Sequence, residues 1–515
     1  MTAVEISVDQ DQWERIRQRN LHPLDWVNPE PRGRYNLVVI GGGTAGLVAA
    51  AGAAMLGARV ALIERHLLGG DCTNYGCVPS KALLRSARAA HELNTAERYG
   101  VRGGGVVDFA AVMQRLRRLR AGISANDAAR RFQDLGVDVY FGDAHFTVPR
   151  RLRVGPTDLE FRRAIIATGA RAAVPPIAGL RETGYLTNET VFSLETLPAR
   201  LLVLGAGPIG CELAQAFRRL GSEVHVFDRA SRLLPRDETD AAEILHRRFE
   251  QEGIHLHLSV EVRRVQADGG AKTVVYEQAG REAAVGGDAL LVALGRAPNL
   301  EGLHLEEAGV ESSAQGVRVD DHLRTTNPAI YAAGDICTPL KFTHAAEAMA
   351  RLALQNALLG RHLRFSSLVI PWCTYTDPEI AHVGMTQPEA ERAGAAAFTQ
   401  PLAEVDRAVL DGDEDGYARL YTRPGGGRVL GATFVGSHAG ESIAEAALAV
   451  ARRLPVSALS AVIHPYPTET EAWKRAADRQ LRTRLRPWMR TWLGRYFAWR
   501  RGCGGDNDEE SHHAT

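Results

Sequence analysis

The sequence predicts an α/β protein of three parts, two open parallel-sheet domains followed by a smaller α+β domain. Three observations predict it. An apolar run, a glycine-rich turn and an alanine-rich stretch occur in that order twice, as Leu37-Val-Val-Ile-Gly41-Gly-Gly43-Thr-Ala-Gly46 and as Leu201-Leu-Val-Leu-Gly205-Ala-Gly207-Pro-Ile-Gly210. Each copy leads into a second apolar run that ends in an acid, Glu64 or Asp228. Residues 365–480 carry neither glycine fingerprint and alternate strand-like with helical runs, Arg428–Val435 and then Glu441–Arg453.

Each element can be justified in chain order. Residues 1–34 are polar and hold Trp13, Trp26 and prolines between 23 and 31, which reads as a short helix and an extended arm ahead of the first domain. Residues 37–58 carry no charge and are long enough to cross a membrane. Their glycines fit a buried strand, a tight turn and a buried helix better. Two βαβ units of this kind are Rossmann-like. The first glycine makes the turn, the second lets the backbone approach a pyrophosphate, and the third packs helix on strand. The helix N-terminus offers amides and positive partial charge to the phosphates. The terminal acid takes ribose hydroxyls. Two further apolar runs, ending at Thr168-Gly169 and Gly295-Arg296, read as strands leaving one domain for the next.

The chain has 515 residues, 45% hydrophobic and 24% charged, with zero formal net charge. That is ordinary for a soluble globular protein and gives no electrostatic case for nucleic acid. Six cysteines make no disulfide framework, and no basic-then-apolar leader opens the chain, so a cytoplasmic setting is expected. Cys211, Cys337 and Cys373 are expected as packing residues.

One cysteine pair stands apart, in Gly69-Gly-Asp-Cys72-Thr-Asn-Tyr-Gly-Cys77-Val-Pro-Ser-Lys81. Four residues separate the thiols, a reach that a helical turn can close. A metal site would want further Cys or His ligands nearby, and the next cysteine is Cys211, so no resident metal is expected. With Thr168-Gly169, Gly205–Glu212, Gly295–Asn299, Ile330–Asp335 and Thr376–Ile380, these motifs make residues 35–480 resemble the flavin disulfide oxidoreductases. That family includes dihydrolipoamide dehydrogenase, glutathione reductase and mercuric reductase.

The resemblance implies FAD over residues 35–180 and 296–364, NAD(P)H over 181–295, and a dimerisation domain over 365–480 that makes a homodimer. Gly41, Gly43, Gly46, Thr168, Gly169, Gly334 and Asp335 would then serve FAD, with Glu64 on its adenosine ribose. Gly205, Gly207, Gly210, Asp228, Arg229, Gly295 and Arg296 complete the cofactor set. Asp228 favours a free 2′-hydroxyl and so NADH slightly, although Arg229 and Arg232 beside it suit a 2′-phosphate. Hydride would pass from nicotinamide to flavin, the flavin would reduce a redox-active Cys72–Cys77 disulfide through Cys77, and the freed thiolate of Cys72 would meet the substrate. Lys81 would approach the flavin and pair with Glu212.

The substrate is a small molecule or a metal ion, and here the chain departs from the family pattern. The run Ile463-His464-Pro465-Tyr466-Pro467-Thr468-Glu469-Thr470-Glu471 puts Tyr466 where family disulfide reductases carry their acid–base histidine, with Glu471 as its orienting carboxylate. Tyrosine titrates near ~10 and histidine near ~6.5, so Tyr466 suits proton delivery to a thiol poorly. Mercuric reductase has tyrosine there, which points to a soft ion such as Hg(II). Prolines after both His464 and Tyr466 favour extended backbone, which would turn both side chains to one side. The chain lacks other mercuric reductase features, having a lone Cys503 near its end and no N-terminal CxxC. The alternatives are a reductase of a small disulfide and a redox sensor or electron donor to a partner at a membrane.

Residues 482–501 hold seven arginines, no acids and three tryptophans. Leu485, Met489, Trp492, Tyr496 and Trp499 recur as one helix face, within a basic aromatic helix assigned to 481–501. Such a helix can pack on the dimer or lie on the inner face of a membrane. Residues 502–515 read as a disordered tail.

Overall fold

The computed structural model describes residues 11–423 and 427–502. Two compact units emerge. The first runs to Ile370 and includes Thr374–Thr376; the second comprises Pro371–Cys373 and the chain from Asp377 on. Both nucleotide-type sheets lie in the first unit, and the second begins later than residue 365.

Asp11 caps the first helix, α1 (Gln12–Leu21), by accepting from Trp13 N. Then come β1 (Tyr35–Ile40), α2 (Thr44–Met55), β2 (Val60–Glu64), α3 (Gly70–Tyr75), α4 (Cys77–Asn94) and α5 (Phe109–Ser124). The strands β3 (Val137–Phe141), β4 (Ala144–Val148), β5 (Arg151–Val154) and β6 (Thr157–Ile166) follow. The parallel part of the sheet runs β3-β2-β1-β6, and Ile330–Ala332 pairs beyond β6. Strand alternation splits its side chains between two cores. Leu37, Val39 and Leu62 pack with Ala49, Ala50, Ala53 and Met349. Val38, Ile40, Ala61 and Ile63 pack with Phe146, Leu152 and Phe161. The apolar stretch 37–58 is thus strand, turn and helix. No helix among the described residues is long and apolar enough to cross a membrane.

The second parallel sheet has the order His255–His257, Glu223–Phe227, Arg200–Leu204, Ala289–Val292. An antiparallel sheet over 261–287 adjoins it in sequence. In the second unit Glu379–Gly384, Val429–Gly436, Tyr417–Thr422 and Ala396–Pro401 form successive antiparallel strands. Trp473, fully buried, ties helix Glu471–Arg482 to helix Ala439–Ala451 by donating Nε1–H to Ser442 O at 2.9 Å.

Two expectations need correction. The N-terminal helix is not a separate arm. Leu21 is buried in the first sheet's core, and α1 joins α5 through buried charge. Glu14 pairs with Arg120 and with Arg17 (2.6 Å), and Asp11 with Arg117 (3.2 Å). The C-terminal helix spans Pro487–Gly502, so Leu485 lies before it and not on its face. The rest of the expected tail, from Cys503, lies outside the described residues.

Candidate active site

The two glycine loops are built alike. Gly41 and Gly205 have φ of +106° and +112°, and a Cβ on either would lie 2.4 Å from a carbonyl oxygen of the neighbouring strand end, Ala167 or Ala293. A Cβ on Gly46 or Gly210 would sit 1.8 or 1.9 Å from the oxygen of Gly41 or Gly205. The middle glycines differ. A Cβ on Gly207 would meet nothing within 4 Å, and one on Gly43 would meet only Gly70 Cα at 3.6 Å. The protein's own packing does not demand glycine there; a phosphate lying against the backbone would.

The acids also match. Glu64 accepts from Gly42 N at 2.7 Å and His66 N at 2.8 Å. Asp228 accepts from Ala206 N at 2.6 Å and Ala230 N at 2.7 Å. Each carboxylate stands at the end of its strand and faces its glycine loop. Arg229 is exposed and reaches Glu261 at 3.3 Å, while Arg232 is tied to the carbonyls of Pro235 and Asp237.

Asp335 is largely buried, which raises its pKa, and Arg296 Nε lies 3.8 Å away. Arg296 also reaches Asp71 at 3.1 Å, so one cation links the segment of the thiols to Asp335. Thr168 and Gly169 are laced to Asn299: Thr168 donates to its carbonyl at 2.9 Å, and Asn299 N donates to Gly169 O at 3.0 Å. Gly334, at φ +82°, lets Ala45 of α2 and Ala346 approach. These residues fit a flavin dinucleotide: a bare loop at the helix start, an acid for a ribose, and a buried carboxylate for chain hydroxyls.

The thiols stand where α3 meets α4, with Gly76 between the helices at φ −122° and ψ −113°. Both are unbridged. The Cys72 thiol donates to Cys77 sulfur, which lowers the Cys77 pKa to about 6; the Thr343 hydroxyl 3.3 Å away and the Lys81 ammonium lower it further, against burial. Cys72 is pushed up because it holds the shared proton and is desolvated. One sulfur is therefore a thiolate at neutral pH and its neighbour a thiol. Lys81 Nζ donates to Glu212 Oε2 at 2.7 Å, and Glu212 Oε1 accepts from Tyr375 N at 2.9 Å. Lys81 also lies 4.6 Å from the Tyr375 ring centroid. Thr343 and Tyr375 carry no local motif; their roles come from long-range packing.

The second unit holds the His-Pro-Tyr run, and it does not present one face. His464 is turned inward, its side chain 6% exposed, with Nε2 3.0 Å from Glu445 and Nδ1 buried without a hydrogen bond. Tyr466 is 71% exposed and donates to Asp406 at 2.8 Å, which raises its pKa. Glu471 bonds Arg475 at 3.1 Å and orients neither. Glu445, on another helix, pairs with His464 instead. Glu469 is buried with both carboxylate oxygens unpaired, and burial raises its pKa. Cys211 is a packing residue, fully buried, with its thiol toward Ala206 O.

Fold and site combine two nucleotide-type glycine loops, each with its strand-end acid, with a close dithiol. Comparison with known proteins carries this to a family. The pyridine nucleotide-disulphide oxidoreductase model matches residues 35–350, and its dimerisation domain matches 370–477. The chain belongs to this family, whose members are NAD(P)H-dependent flavoenzymes acting on metal or disulfide groups. It is 35% identical over 454 residues to a mercuric reductase of Bacillus cereus, covering 87% of this chain and 72% of that one. It is likewise 35% identical over 462 residues to a dihydrolipoyl dehydrogenase of Haloferax volcanii, covering 86% and 96%. The HOCl-induced flavoprotein disulfide reductase RclA of Escherichia coli superposes with a TM-score of 0.78 at 30% identity, covering 86% and 99%. The chain is thus a flavoprotein oxidoreductase using FAD and NAD(P)H.

Proposed function

We propose that this enzyme reduces a soft, thiol-bound metal ion, Hg(II) or one like it, using NADH. The observation that carries the reading is Tyr466. Its hydroxyl donates to Asp406 and its pKa is raised, so it is a poor proton donor to a leaving thiolate near neutral pH. Reducing a disulfide takes two electrons and two protons to yield two thiols. Reducing a mercuric dithiolate takes two electrons and no proton: two Hg–S bonds break, two thiolates leave, and the metal departs uncharged. The thiol pair is suited to the second case, because thiolate is the soft-metal ligand.

When bound, the flavin supplies two-electron transfer between nicotinamide and the cysteine pair. The chain's own residues do the rest. Cys77 is held as thiolate by Cys72, Thr343 and Lys81, and Lys81 is oriented by Glu212. Cys72 keeps the proton until substrate displaces it. In a homodimer built through the second unit, Tyr466 would serve the partner's thiols. Asp228 supports a free 2′-hydroxyl, since exposed Arg229 engages Glu261 and Arg232 engages backbone carbonyls. The reading is tested by anaerobic NADH oxidation with Hg(II)–thiol complexes, lipoamide or glutathione disulfide. Turnover with the disulfides and none with Hg(II) overturns it.

A membrane contact is also supported. In helix Pro487–Gly502 no residue is buried, and Trp488, Trp492, Phe497 and Trp499 are all more than half exposed. With arginines and no acid beside them, these rings suit the anionic cytoplasmic leaflet.

A further inference from the structure

The sequence, read alone, expects no resident metal. Pairing in the second parallel sheet brings a ligand set together nevertheless. Glu223 and His225 are two positions apart on one strand and so share a face. His255 is the register partner of His225 on the neighbouring, outermost strand. One ligand atom from each of Glu223, His225 and His255 lies within 4.8 Å of the others. His225 is buried and His255 exposed, so the cluster opens to solvent on one side.

A second observation points the same way. His225 Nε2 lies 3.0 Å from Glu223, and its other nitrogen lies 3.0 Å from His257 Nε2. His257 Nδ1 in turn lies 3.1 Å from the Tyr276 hydroxyl. Metal-bound histidines need such a partner on the far nitrogen to set tautomer and ring orientation. With Nε2 given to an ion, the His225 proton moves to Nδ1 and is donated to His257, which donates onward to Tyr276. Each imidazole keeps one proton, so no charge is lost or gained.

We propose that Glu223, His225 and His255 bind a divalent transition cation of the Zn²⁺ or Co²⁺ type, with His257 and Tyr276 as its outer support. Two imidazoles and a carboxylate suit such ions, whereas Hg(II) is drawn to thiolate. Ligand atoms in a tetrahedral zinc site with bonds of about 2.1 Å sit roughly 3.4 Å apart. Rotation of the exposed His255 side chain closes the remaining gap. Arg200 pairs with Glu223 at 2.8 Å through the other carboxylate oxygen, leaving the one that faces His225. The ion would fasten the edge strand to its neighbour, at the end of the strand opposite to Asp228.

The test uses the full-length, flavin-loaded protein with Cys72 and Cys77 alkylated, titrated with Co²⁺. The expected result is the visible d–d absorption of nitrogen- and oxygen-ligated cobalt, without a sulfur charge-transfer band and displaced by Zn²⁺. His255→Gln and His225→Asn each remove that signal, and Zn²⁺ raises the melting temperature of the wild type but not of His255→Gln. His225 is buried and its replacement risks the fold, so the exposed His255 decides the matter. Ligands elsewhere, such as His512 and His513, contribute equally to both proteins. The proposal is overturned if millimolar Co²⁺ gives no such bands, or if their amplitude is unchanged in His255→Gln.

Discussion

The two sulfurs at the junction of α3 and α4 are chemically unequal although both are cysteine. The largest cause is the proton that Cys72 shares with Cys77; Thr343 and Lys81 add to it. Because the Cys77 pKa is lowered, its thiolate is present above about pH 6 and is lost as pH falls through that value. Titrating the thiolate absorbance of the reduced protein should give a midpoint near 6. Lys81→Met should raise the midpoint by roughly one pH unit, and Cys72→Ala should raise it more. A midpoint unmoved by either change would remove the electrostatic account. At Tyr466 the expected effect is on substrate choice. Tyr466→His should increase turnover with glutathione disulfide or lipoamide about tenfold or more, as a proton donor of suitable pKa would. Equal disulfide rates in both proteins would show that this position does not set the acid–base chemistry. At this scale the sequence was legible where chemistry is local: the thiols, Lys81, the glycines and the two acids. Thr343, Tyr375, Glu445 and Asp406 were not legible, because each reaches its partner from a distant element. The pairing of Glu471 was misread for a different reason: Arg475, one turn along the same helix, takes its carboxylate.

Among the elements, α1 shows how an unpromising sequence becomes part of the site. Its Arg17 donates to Asn74 Oδ1 at 3.1 Å, and Arg120 of α5 donates to Asn74 O at 2.8 Å. Asn74 donates in turn to the carbonyls of Leu68 and Gly70. The segment between the two cysteines is therefore clamped from behind by α1 and α5. Glu14 compensates both arginines. Glu14→Gln leaves Arg120 buried without its counter-charge, a change that costs about 3–5 kcal/mol in comparable buried pairs. The expected outcome is a clear fall in melting temperature, with weakened thiolate–flavin charge-transfer absorbance and unchanged NADH affinity. Retention of both melting temperature and charge transfer would show that α1 does not hold the thiol segment. Periodicity made α1 legible as a helix. Its attachment was not, because the charges that bury it lie on α5, about a hundred residues further on. The strand-turn-helix units were read correctly because propensity, glycine placement and alternation agree there.

At the scale of the whole molecule, the family's dimerisation domain and the exposed C-terminal helix set the expectations. Removing residues 482–515 should abolish sedimentation with anionic liposomes, and Trp492→Ser with Trp499→Ser should weaken it several-fold. High salt should weaken it further, since part of the attraction is screened charge. Full-length protein that ignores liposomes at low salt would refute the membrane contact. The division into parts was legible from the doubled fingerprint. The compactness of the first unit was not, because strands that share a sheet, such as β1 and Ile330–Ala332, lie almost three hundred residues apart in sequence.

The matched grips of Glu64 and Asp228 bear on how quickly the enzyme can be loaded. Each carboxylate already spends one lone pair per oxygen on a backbone amide and has others left, which in the proposed role would accept from ribose hydroxyls. In that role an arriving nucleotide would meet acceptors whose rotamers the backbone amides already hold. That part of the ordering cost of binding would then have been met during folding. Cofactor uptake should therefore be governed by encounter, with nucleotide concentration setting the observed rate.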